Sequence, residues 1–374
     1  MHHYERVRKI DEGTYGVVSL ARDRKTRELY ALKQVKMTAA AGAKDGFPVT
    51  ALRETNILLA LAHPNVVGMK EMVVGSDTSK VYMVMEYFDY DLKKVLDLQK
   101  KRNRAERVAM LGEFTSREDE RAFEREPVFT IREVKSLLGQ LLAAVAHMHK
   151  CWYVHRDLKT SNILYNSRGK LAVCDFGLAR RVGEPVRPYT TNVVTLYYRC
   201  PELLLGARTY DGTAVDMWSV GCIFAEMLTG RYFFEGESEI DQLTKIVATI
   251  GVPSETNWPG YESLPSAKTF SWRSLPHTFP AAAAGECGTG TVTGKSRNRK
   301  LREKFPRETS SAAFTDANRQ KHLNDTGFDL LEGLLLMNPK GRLSAAMART
   351  HPWFTEEPTA LPMSQMPSFP AADP

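Results

Sequence analysis

The spacing of hydrophobic residues changes near residue 90, and this change constrains the fold more than any other feature of the sequence. Before it, residues 4–37 alternate apolar and polar side chains around one glycine-containing turn, and residues 81–87 have the composition of a buried strand. After it, apolar residues recur at helical spacing in four segments, residues 131–149, 215–229, 240–250 and 327–337. We therefore predict an α+β fold in which a small antiparallel β-sheet precedes a larger, mostly helical part.

One main helix is predicted inside the sheet-rich part, from Pro48 to about Ala62. Proline suits the first turn of a helix, and His63-Pro64 follows where the helical pattern stops. With this helix included, residues 1–88 form the predicted small lobe and residues 89–354 form the predicted large lobe.

Three segments depart from these patterns. Residues from about 97 to 127 are dense in mixed charge, and residues from about 281 to 321 combine an alanine run, Gly/Thr repeats and scattered basic residues. Both are interpreted as surface insertions in the large lobe. The tail, residues 355–374, is rich in proline and is predicted to be disordered.

The composition excludes several classes of partner. The net charge is +7, but the 51 basic residues are interleaved with 44 acidic ones and no basic stripe with aromatic residues is present, so no nucleic-acid partner is expected. No apolar stretch approaches the roughly 20 residues that a membrane span requires, and the first residues have no apolar signal-peptide core. The five cysteines form no CxxC pair. We expect a protein of the nucleus or the cytoplasm that binds no membrane.

The first chemical motif is a glycine-containing turn between two predicted strands. Gly13 and Gly16 lie in the segment Asp11–Val18, where the absence of side chains would let the backbone approach phosphate groups closely. Such a hairpin is more often only a turn, and Asp11 occupies the position of the first glycine in the pattern G-x-G-x-x-G. On its own, therefore, this motif is weak evidence for a phosphate-binding turn. The motifs that follow it strengthen the interpretation.

Lys33 follows in Tyr30-Ala31-Leu32-Lys33 on a predicted strand, and Glu54 lies on the next helix. A lysine in this position can reach the α- and β-phosphates of a nucleotide, and a helical glutamate can pair with it. A single lysine on a strand is usually a solvated charge. Here the small Ala31, which suits contact with a flat base, precedes it.

The decisive segment is His155-Arg156-Asp157-Leu158-Lys159-Thr160-Ser161-Asn162, which matches H-R-D-L-x-x-x-N at every fixed position and is followed by Asp175-Phe176-Gly177. Phosphoryl transfer requires a base for the attacking hydroxyl and a metal ion that neutralises the phosphates. Asp157 can accept the substrate proton, and Lys159 can neutralise the transferring group. Asn162 and Asp175 supply the oxygen ligands that Mg²⁺ prefers.

These motifs together resemble the eukaryotic protein kinases over residues 4–354, and the resemblance implies the bilobal protein-kinase fold and ATP with Mg²⁺ as cofactors. The helix sequence GFPVTALRE, residues 46–54, is most similar to that of the cyclin-dependent kinases of the PITSLRE branch. Lys159 is typical of Ser/Thr kinases. The segment Val193–Arg199 is similar to V-V-T-L-W-Y-R, which implies proline after the phosphorylated residue, although Tyr197 and Cys200 replace the usual tryptophan and alanine.

The resemblance also implies the nucleotide contacts. Met85 matches the residue at the back of the adenine pocket, and Glu86 and Phe88 match the hinge whose backbone would bond the base. Asp91 matches the position near the ribose. The residues that would enclose the base are Ile10, Val18, Ala31 and Leu164. Ordinary core packing also explains the aliphatic residues. The two interpretations are compatible, because the same side chain can pack in the core and contact the base.

Regulatory features follow from the same resemblance. Thr190 matches an activating phosphorylation site, whose added charge of about −1.5 to −2 would be bound by arginines. The matching arginines are Arg53, Arg156 and Arg180. Thr14 and Tyr15 match inhibitory sites on the glycine-containing turn. A cyclin-type subunit would bind the helix Pro48–Ala62, and Ser/Thr-Pro proteins would be the substrates.

Other interpretations stay open at this point. A catalytically inactive scaffold could use the same fold, although Lys33, Glu54, Asp157, Asn162 and Asp175 are all intact. A mitogen-activated kinase would carry a T-x-Y pair at the phosphorylation site, where this chain has Thr190-Thr191-Asn192. A small-molecule or lipid kinase would not need the Cys200-Pro201-Glu202 segment. The sequence does not identify the physiological substrate, the cyclin or the roles of the insertions.

Overall fold

The computed structural model describes residues 3–13, 16–35, 48–75, 80–123, 126–182, 195–270, 299–306 and 323–370. Thr14, Tyr15 and Thr190, three predicted phosphorylation sites, lie outside the described residues. So do residues 281–298 and 307–321, which make up most of the second predicted insertion.

The small lobe is built on an antiparallel sheet, whose strands within the described ranges follow the order β1-β2-β3-β5-β4. These strands are β1 (Tyr4–Gly13), β2 (Gly16–Asp23), β3 (Leu29–Gln34), β4 (Met69–Val74) and β5 (Val81–Glu86). Gly16 has a φ angle of 141°, and a Cβ atom there would lie only 2.2 Å from the backbone oxygen of Gln34. Only glycine fits this position, so the sequence requirement for glycine comes from the close approach of β3.

Helix α1 (Val49–Ala60) lies between β3 and β4 in the chain, where the sequence predicts a helix. Its residues Ala51, Ile57 and Leu58 are buried in the same hydrophobic cluster as Leu137 and Phe176 of the large lobe. This continuous core ties the orientation of α1 to the large lobe, because close-packed side chains allow little relative displacement.

The large lobe is mostly helical. Three of the four segments with helical spacing lie within helices, and the fourth, residues 327–337, is helical only as far as Leu334. Its helices are α2 (Leu92–Leu111), α3 (Arg117–Phe123), α4 (Ile131–Lys150), α5 (Pro201–Leu204), α6 (Gly212–Thr229), α7 (Glu239–Ile250), α8 (Arg299–Lys304), α9 (Asp325–Leu334) and α10 (Ala345–Arg349). Every residue of α6 from Ala214 to Thr229 is buried, so α6 is the centre of the lobe. Among the described helices, none is both long enough and apolar enough to cross a membrane.

The described part of the large lobe also contains five short strands, which form two small sheets. They are β6 (Tyr90–Asp91), β7 (Tyr153–Val154), β8 (Ile163–Tyr165), β9 (Leu171–Val173) and β10 (Arg180–Arg181). β8 pairs with both β6 and β9, and β7 pairs with β10. The architecture confirms the predicted α+β, bilobal fold.

The first predicted insertion, whose fold the sequence left open, is mostly helical in its described part. Residues 97–111 continue α2, and α3 packs beside its second half. Arg104 pairs with Glu120 at 2.6 Å and Arg107 pairs with Asp119 at 3.2 Å. The mixed charges of this segment therefore face each other between two helices, an arrangement that the local sequence pattern did not predict.

The prediction of a disordered tail is wrong for residues 355–370. Proline prevents a regular helix or sheet there, but two apolar side chains of this segment, Met366 and Phe369, are only 5% and 8% exposed. Backbone groups of the segment also bond the large lobe, as when the Leu361 N–H donates to the Arg132 carbonyl at 3.0 Å. Residues 371–374 lie outside the described part of the chain.

Candidate active site

Asp157 lies on the loop between β7 and β8, and it is 3% exposed. Its Oδ2 atom accepts hydrogen bonds from Lys159 Nζ at 3.0 Å and from Asn162 Nδ2 at 3.1 Å. Its Oδ1 atom is buried and has no hydrogen-bond partner within the described residues. A buried acceptor without a partner is costly in a folded protein, so this oxygen is suited to accept a proton or hydrogen bond from a bound molecule.

Burial raises the pKa of Asp157, because the charged carboxylate loses solvent, and the positive charge of Lys159 opposes the shift. The group remains a stronger base than an exposed aspartate. A raised pKa favours general-base catalysis because it increases the driving force for accepting a proton.

Asp216 of α6 holds the loop that carries Asp157 in place. The Asp216 side chain is fully buried. The Asp216 carboxylate accepts the backbone N–H of His155 at 2.8 Å and the backbone N–H of Arg156 at 2.7 Å. It also bonds His149 Nε2 at 3.0 Å. Arg156 has a φ angle of 68°, which is unfavourable for a residue with a side chain. The bonds to Asp216 compensate for that backbone strain and keep the loop in one conformation.

The two predicted metal ligands lie at the two ends of the β8–β9 hairpin. Asn162 immediately precedes β8, and Asp175 follows β9 after Cys174. A backbone bond of 3.0 Å from the Cys174 N–H to the Asn162 carbonyl brings the two ends together. Asp175 has a φ angle of 62°, and Phe176 beside it is fully buried with its ring 5.1 Å from that of His155.

The donor set suits a hard cation. Asn162 Nδ2 donates to the Asp157 backbone oxygen at 2.8 Å, and within the described residues no hydrogen bond uses Asn162 Oδ1. An amide oxygen and the Asp175 carboxylate are ligands of the type that Mg²⁺ prefers, and Mg²⁺ commonly takes its other ligands from water and phosphate. The described residues contain no cluster of three or more His, Cys, Asp or Glu side chains that could hold a metal ion. A metal ion at Asn162 and Asp175 would therefore take its other ligands from water and phosphate.

Lys33 of β3 connects the small lobe to this arrangement. Its Nζ atom lies 2.7 Å from Glu54 Oε1 and 3.4 Å from Asp175 Oδ1. Burial disfavours the charged form of Lys33, but the carboxylates of Glu54 and Asp175 together raise its pKa to about 12. Lys33 therefore carries a positive charge beside the predicted metal ligands at neutral pH.

The predicted nucleotide residues lie on the strands of the small lobe that include Lys33 and on the β6–β8 pair of the large lobe, or directly beside them. In the β3–β5 pair Ala31 is opposite Met85, and in the β6–β8 pair Asp91 is opposite Leu164. Asp91 also caps α2 by accepting the Lys94 N–H at 2.8 Å, and burial raises its pKa. The remaining predicted residues lie on neighbouring elements: Ile10 and Gly13 on β1, Gly16 and Val18 on β2, Glu86 at the end of β5, and Phe88 just after it.

The arginines predicted to surround Thr190 lie near the loop of Asp157. Arg156 donates two bonds to the Leu178 carbonyl, at 2.9 and 2.6 Å, and Arg180 donates to the Ala179 carbonyl at 2.8 Å. Burial lowers the pKa of Arg156, and the nearby positive charge of Arg53 lowers it further. These cations repel each other, so an anion would be favoured between them.

Two contacts that support the site were not predicted from the sequence. Lys170, on the turn between β8 and β9, pairs with Glu86 of the predicted hinge at 2.5 Å. Asp216 had no predicted role. Neither contact leaves a local pattern in the sequence, because the partners are far apart in the chain. By contrast, the resemblance to protein kinases does imply one distant contact, a stabilising ion pair between Glu202 and Arg342. The structure contains this pair, with two bonds of 2.8 and 2.9 Å.

Comparisons with known proteins agree with this geometry. The sequence profile of the protein kinase domain matches residues 4–354. The chain is 45% identical over 368 residues to Cyclin-dependent kinase G-2 of Oryza sativa, covering 98% of this chain and 44% of the relative. It is 43% identical over 369 residues to Cyclin-dependent kinase 11.1 of Caenorhabditis elegans, covering 98% of this chain and 43% of the relative. With Cyclin-dependent kinase 11B of Homo sapiens the identity is 41% over 371 residues, covering 99% of this chain and 38% of the relative. The chain thus spans less than half the length of these three relatives.

Proposed function

Because the chain belongs to the protein kinase domain family, we propose that it transfers the γ-phosphoryl group of ATP to Ser or Thr hydroxyl groups of proteins. The observation that carries the proposal is one continuous chain of contacts. Glu54 pairs with Lys33, and Lys33 lies beside Asp175. Cys174, the residue before Asp175, bonds the Asn162 carbonyl through its backbone N–H, and the Asn162 side chain bonds Asp157. Groups from both lobes thereby meet in a single cleft.

Each group has a task in phosphoryl transfer. Asp157 Oδ1 would accept the proton of the attacking hydroxyl, and Lys159, bonded to Oδ2 of the same carboxylate, would neutralise charge on the transferring group. Asn162 and Asp175 would hold Mg²⁺, which supplies positive charge at the phosphate oxygens. Lys33 would bind the α- and β-phosphates, and Glu54 orients it from the other side.

The nucleotide would lie between β1–β3 above and Leu164 below. The small side chain of Ala31, opposite Met85, leaves room for a flat base. Asp91, opposite Leu164, would contact the ribose. The resemblance to protein kinases supports these assignments, and the side-by-side placement of the residues is consistent with them.

The test is a phosphorylation assay with labelled ATP and a protein substrate that compares wild type with Asp157→Asn. Loss of the base should slow the reaction by about 10² to 10⁴, or about 3 to 5 kcal/mol of barrier. Binding of Mg·ATP, measured by calorimetry, should change little, because Asp157 is not assigned to the nucleotide. Asp97→Asn, at a side chain that is 55% exposed on α2, is the matched control. Equal rates for wild type and Asp157→Asn would refute the proposal.

A cyclin-type subunit is the proposed regulatory partner, and it would cover the outer face of α1. Leu52 and Leu59 are 46% and 64% exposed on this face, with the exposed Asn56 between them. Large apolar side chains that share one exposed helix face commonly mark a protein interface. Glu54, on the buried side of the same helix, would be steadied against Lys33 by the partner.

This partner is tested with a panel of purified cyclins and the variants Leu52→Ser and Leu59→Ser. Both variants should bind the stimulating cyclin at least tenfold more weakly, while their unfolding free energy changes by less than about 0.5 kcal/mol. Met347→Ser, at a residue of α10 that is 60% exposed, is the control. Full stimulation of both α1 variants would exclude this face.

Phosphorylation of Thr190 is proposed to activate the kinase, because the cations of Arg53, Arg156 and Arg180 would bind the added phosphate. Full activity of Thr190→Ala would contradict this activating role.

Phosphorylation at Thr14 or Tyr15 is proposed to be inhibitory, since negative charge there would repel ATP. The phosphomimetic variant Thr14→Glu should therefore bind ATP more weakly.

The preferred substrates are proposed to carry proline after the phosphorylated residue, on the basis of the segment Val193–Arg199. Paired peptides with Ser-Pro and Ser-Ala test this preference, and equal phosphorylation rates for the two peptides would oppose it.

A nuclear or cytoplasmic location stays a prediction, which imaging of the tagged protein in cells would test.

A further inference from the structure

Residues 355–370, here called the C-terminal strap, follow the large lobe from α4 to the β8–β9 hairpin. The first half is attached to α4. Lys135, which is 1% exposed, donates to the Glu356 carbonyl at 2.7 Å, and Arg132 Nε donates to the Thr359 carbonyl at 3.2 Å. A buried lysine that bonds a backbone oxygen shows that the segment is part of the folded domain, because an unpaired buried ammonium group would be costly.

The second half of the strap contacts the strands beside the candidate nucleotide site. Tyr165 of β8 donates its hydroxyl to the Pro367 carbonyl at 2.6 Å, and Tyr90 of β6 donates its hydroxyl to the Pro370 carbonyl. The Phe369 ring packs edge-on against the Tyr90 ring, with centroids 6.2 Å apart. Phe369 is 8% exposed, so this contact is largely dry.

The tip of the β8–β9 hairpin also fits the strap closely. Gly169 has a φ angle of 75°, and a Cβ atom there would lie 2.2 Å from the Met363 backbone oxygen and 2.8 Å from the Met366 side chain. Any larger residue would push the strap away. The hairpin and the strap are therefore packed as one unit.

Strand register connects this contact to the candidate site. Tyr90 is opposite Tyr165, and the next pair along is Asp91 opposite Leu164. Successive side chains of a strand point to opposite faces. The tyrosine pair faces the strap, so the pair Asp91 and Leu164 faces the other way, toward the cleft where the proposed function places ribose and base.

We propose that Phe369 is a positioning residue of the nucleotide site, acting through Tyr90 on the strand pair that carries Asp91 and Leu164. The strap supports the outer side of this pair, and the nucleotide would rest on the inner side. Loss of the Phe369 ring lets the pair move outward and weakens nucleotide binding, while Asp157 and its loop, held by Asp216, keep their arrangement. The inference rests on the proposed function, since it assumes that the cleft binds ATP.

The alternative is that the strap only adds stability to the large lobe. The two halves of the strap separate these possibilities, because only the second half contacts the strands of the site. Phe369→Ala removes the ring at Tyr90. Leu361→Ala shortens an apolar side chain in the first half, where the backbone N–H bonds the Arg132 carbonyl of α4.

The experiment measures Mg·ATP binding by calorimetry, kcat and the KM for ATP with a Ser-Pro peptide, and thermal stability. We expect Phe369→Ala to raise the Kd and KM for ATP about fivefold to tenfold with kcat within twofold of wild type. Phe369→Tyr, which keeps the ring, should restore wild-type values. Leu361→Ala should lower the melting temperature and leave the Kd and KM for ATP unchanged.

A second variant keeps the positioning role testable if Phe369→Ala does not fold. Tyr165→Phe removes only the hydroxyl that bonds the Pro367 carbonyl, and we expect it to raise the Kd for ATP about twofold to threefold. Unchanged ATP binding in both Phe369→Ala and Tyr165→Phe, or an equal loss in Leu361→Ala, would overturn the positioning role. Failure of the wild-type chain to bind Mg·ATP at all would instead overturn the proposed function, and the positioning role with it.

Discussion

Helices α1 and α6 each contribute one acidic side chain to the candidate active site, but the two helices are held in the fold in different ways. α6 begins with a cap in which Asp211 accepts the Thr213 N–H at 2.8 Å, and every residue from Ala214 to Thr229 is buried. α1 begins at Pro48 without a side-chain cap among the described residues, and Leu52 and Leu59 on its outer face are exposed.

This difference divides the candidate site into two parts. The loop of Asp157 is fixed by the packing of the large lobe, whereas the position of Glu54 can change with the position of α1. Asp216 on α6 cannot move without disrupting the core, so the loop of Asp157 is set by the stability of the large lobe. Glu54 is on a helix with exposed apolar residues and no side-chain cap among the described residues, so its pairing with Lys33 is the step that the proposed partner would control. Four predictions test this division, from the largest expected effect to the smallest.

Asp216→Asn should have the largest effect, because an amide cannot accept from His155 and Arg156 with both of its terminal atoms. At least one buried backbone N–H would then face another donor. We expect a loss of about 3 to 5 kcal/mol in unfolding free energy, measured by urea denaturation. The control is Asp211→Asn on the same helix, where asparagine remains a good cap. Similar stabilities of the two variants would contradict the fixed role of α6.

Glu54→Gln should affect activity more than stability. Lys33 would lose its charged partner at 2.7 Å and shift toward Asp175, which is the proposed ligand of the metal ion. We expect the rate to fall about 10²-fold, or about 3 kcal/mol of barrier, in steady-state kinetics. The unfolding free energy should fall by only about 1 kcal/mol, because glutamine keeps the shape and one acceptor. A stability loss as large as that of Asp216→Asn would remove the distinction between the two helices.

Glu226 of α6 should make the stability of the protein depend on pH. Burial raises its pKa from 4.5 to about 7, although hydroxyl donors from Tyr198 and Thr160 oppose the shift. Between these two pKa values the folded protein holds a proton that the unfolded chain releases, so stability falls as pH rises from about 4.5 to 7 and the loss is complete above the folded pKa.

We expect this loss to be on the order of 3 kcal/mol, measured as unfolding free energy across that pH range. Glu226→Gln should flatten the profile, whereas Glu262→Gln, at an exposed residue, should leave its slope unchanged. A wild-type slope that persists in Glu226→Gln would assign the dependence to other groups.

Asp211→Ala should have the smallest effect. It removes the cap at the start of α6, where Asp211 bonds both the N–H and the hydroxyl of Thr213. We expect a loss of about 1 kcal/mol in denaturation experiments and no change in the KM for ATP. A change in KM would show that the start of α6 is coupled to the cleft after all.

The sequence was informative wherever the relevant signal lies within a short stretch of chain. Asp157 and Asn162 are five residues apart, and this spacing, with Asp175 following in its own short motif, is enough to indicate the chemistry. The helices of the large lobe were predictable for the same reason, since helical spacing of apolar residues is a local pattern.

The sequence was uninformative where two distant segments meet. Asp216 bonds a loop that is 60 and 61 positions away, and Tyr165 bonds a carbonyl 202 positions away. The prolines of the tail suggested disorder, because composition alone does not reveal that Met366 and Phe369 have a surface to pack against. The fold of the charged insertion was not predictable either, because Arg104 and Glu120 become neighbours only when α2 and α3 are side by side.

The amino-acid sequence by itself determined the type of chemistry that we propose, the candidate residues for it and the order of sheet and helices. Only the tertiary structure decided which carboxylate supports the catalytic loop, how firmly each helix is held and where the C-terminal strap lies. The physical reason is that the chemistry of a side chain is a property of the residue. Its burial, its charge environment and its partners depend on groups that only folding brings into contact.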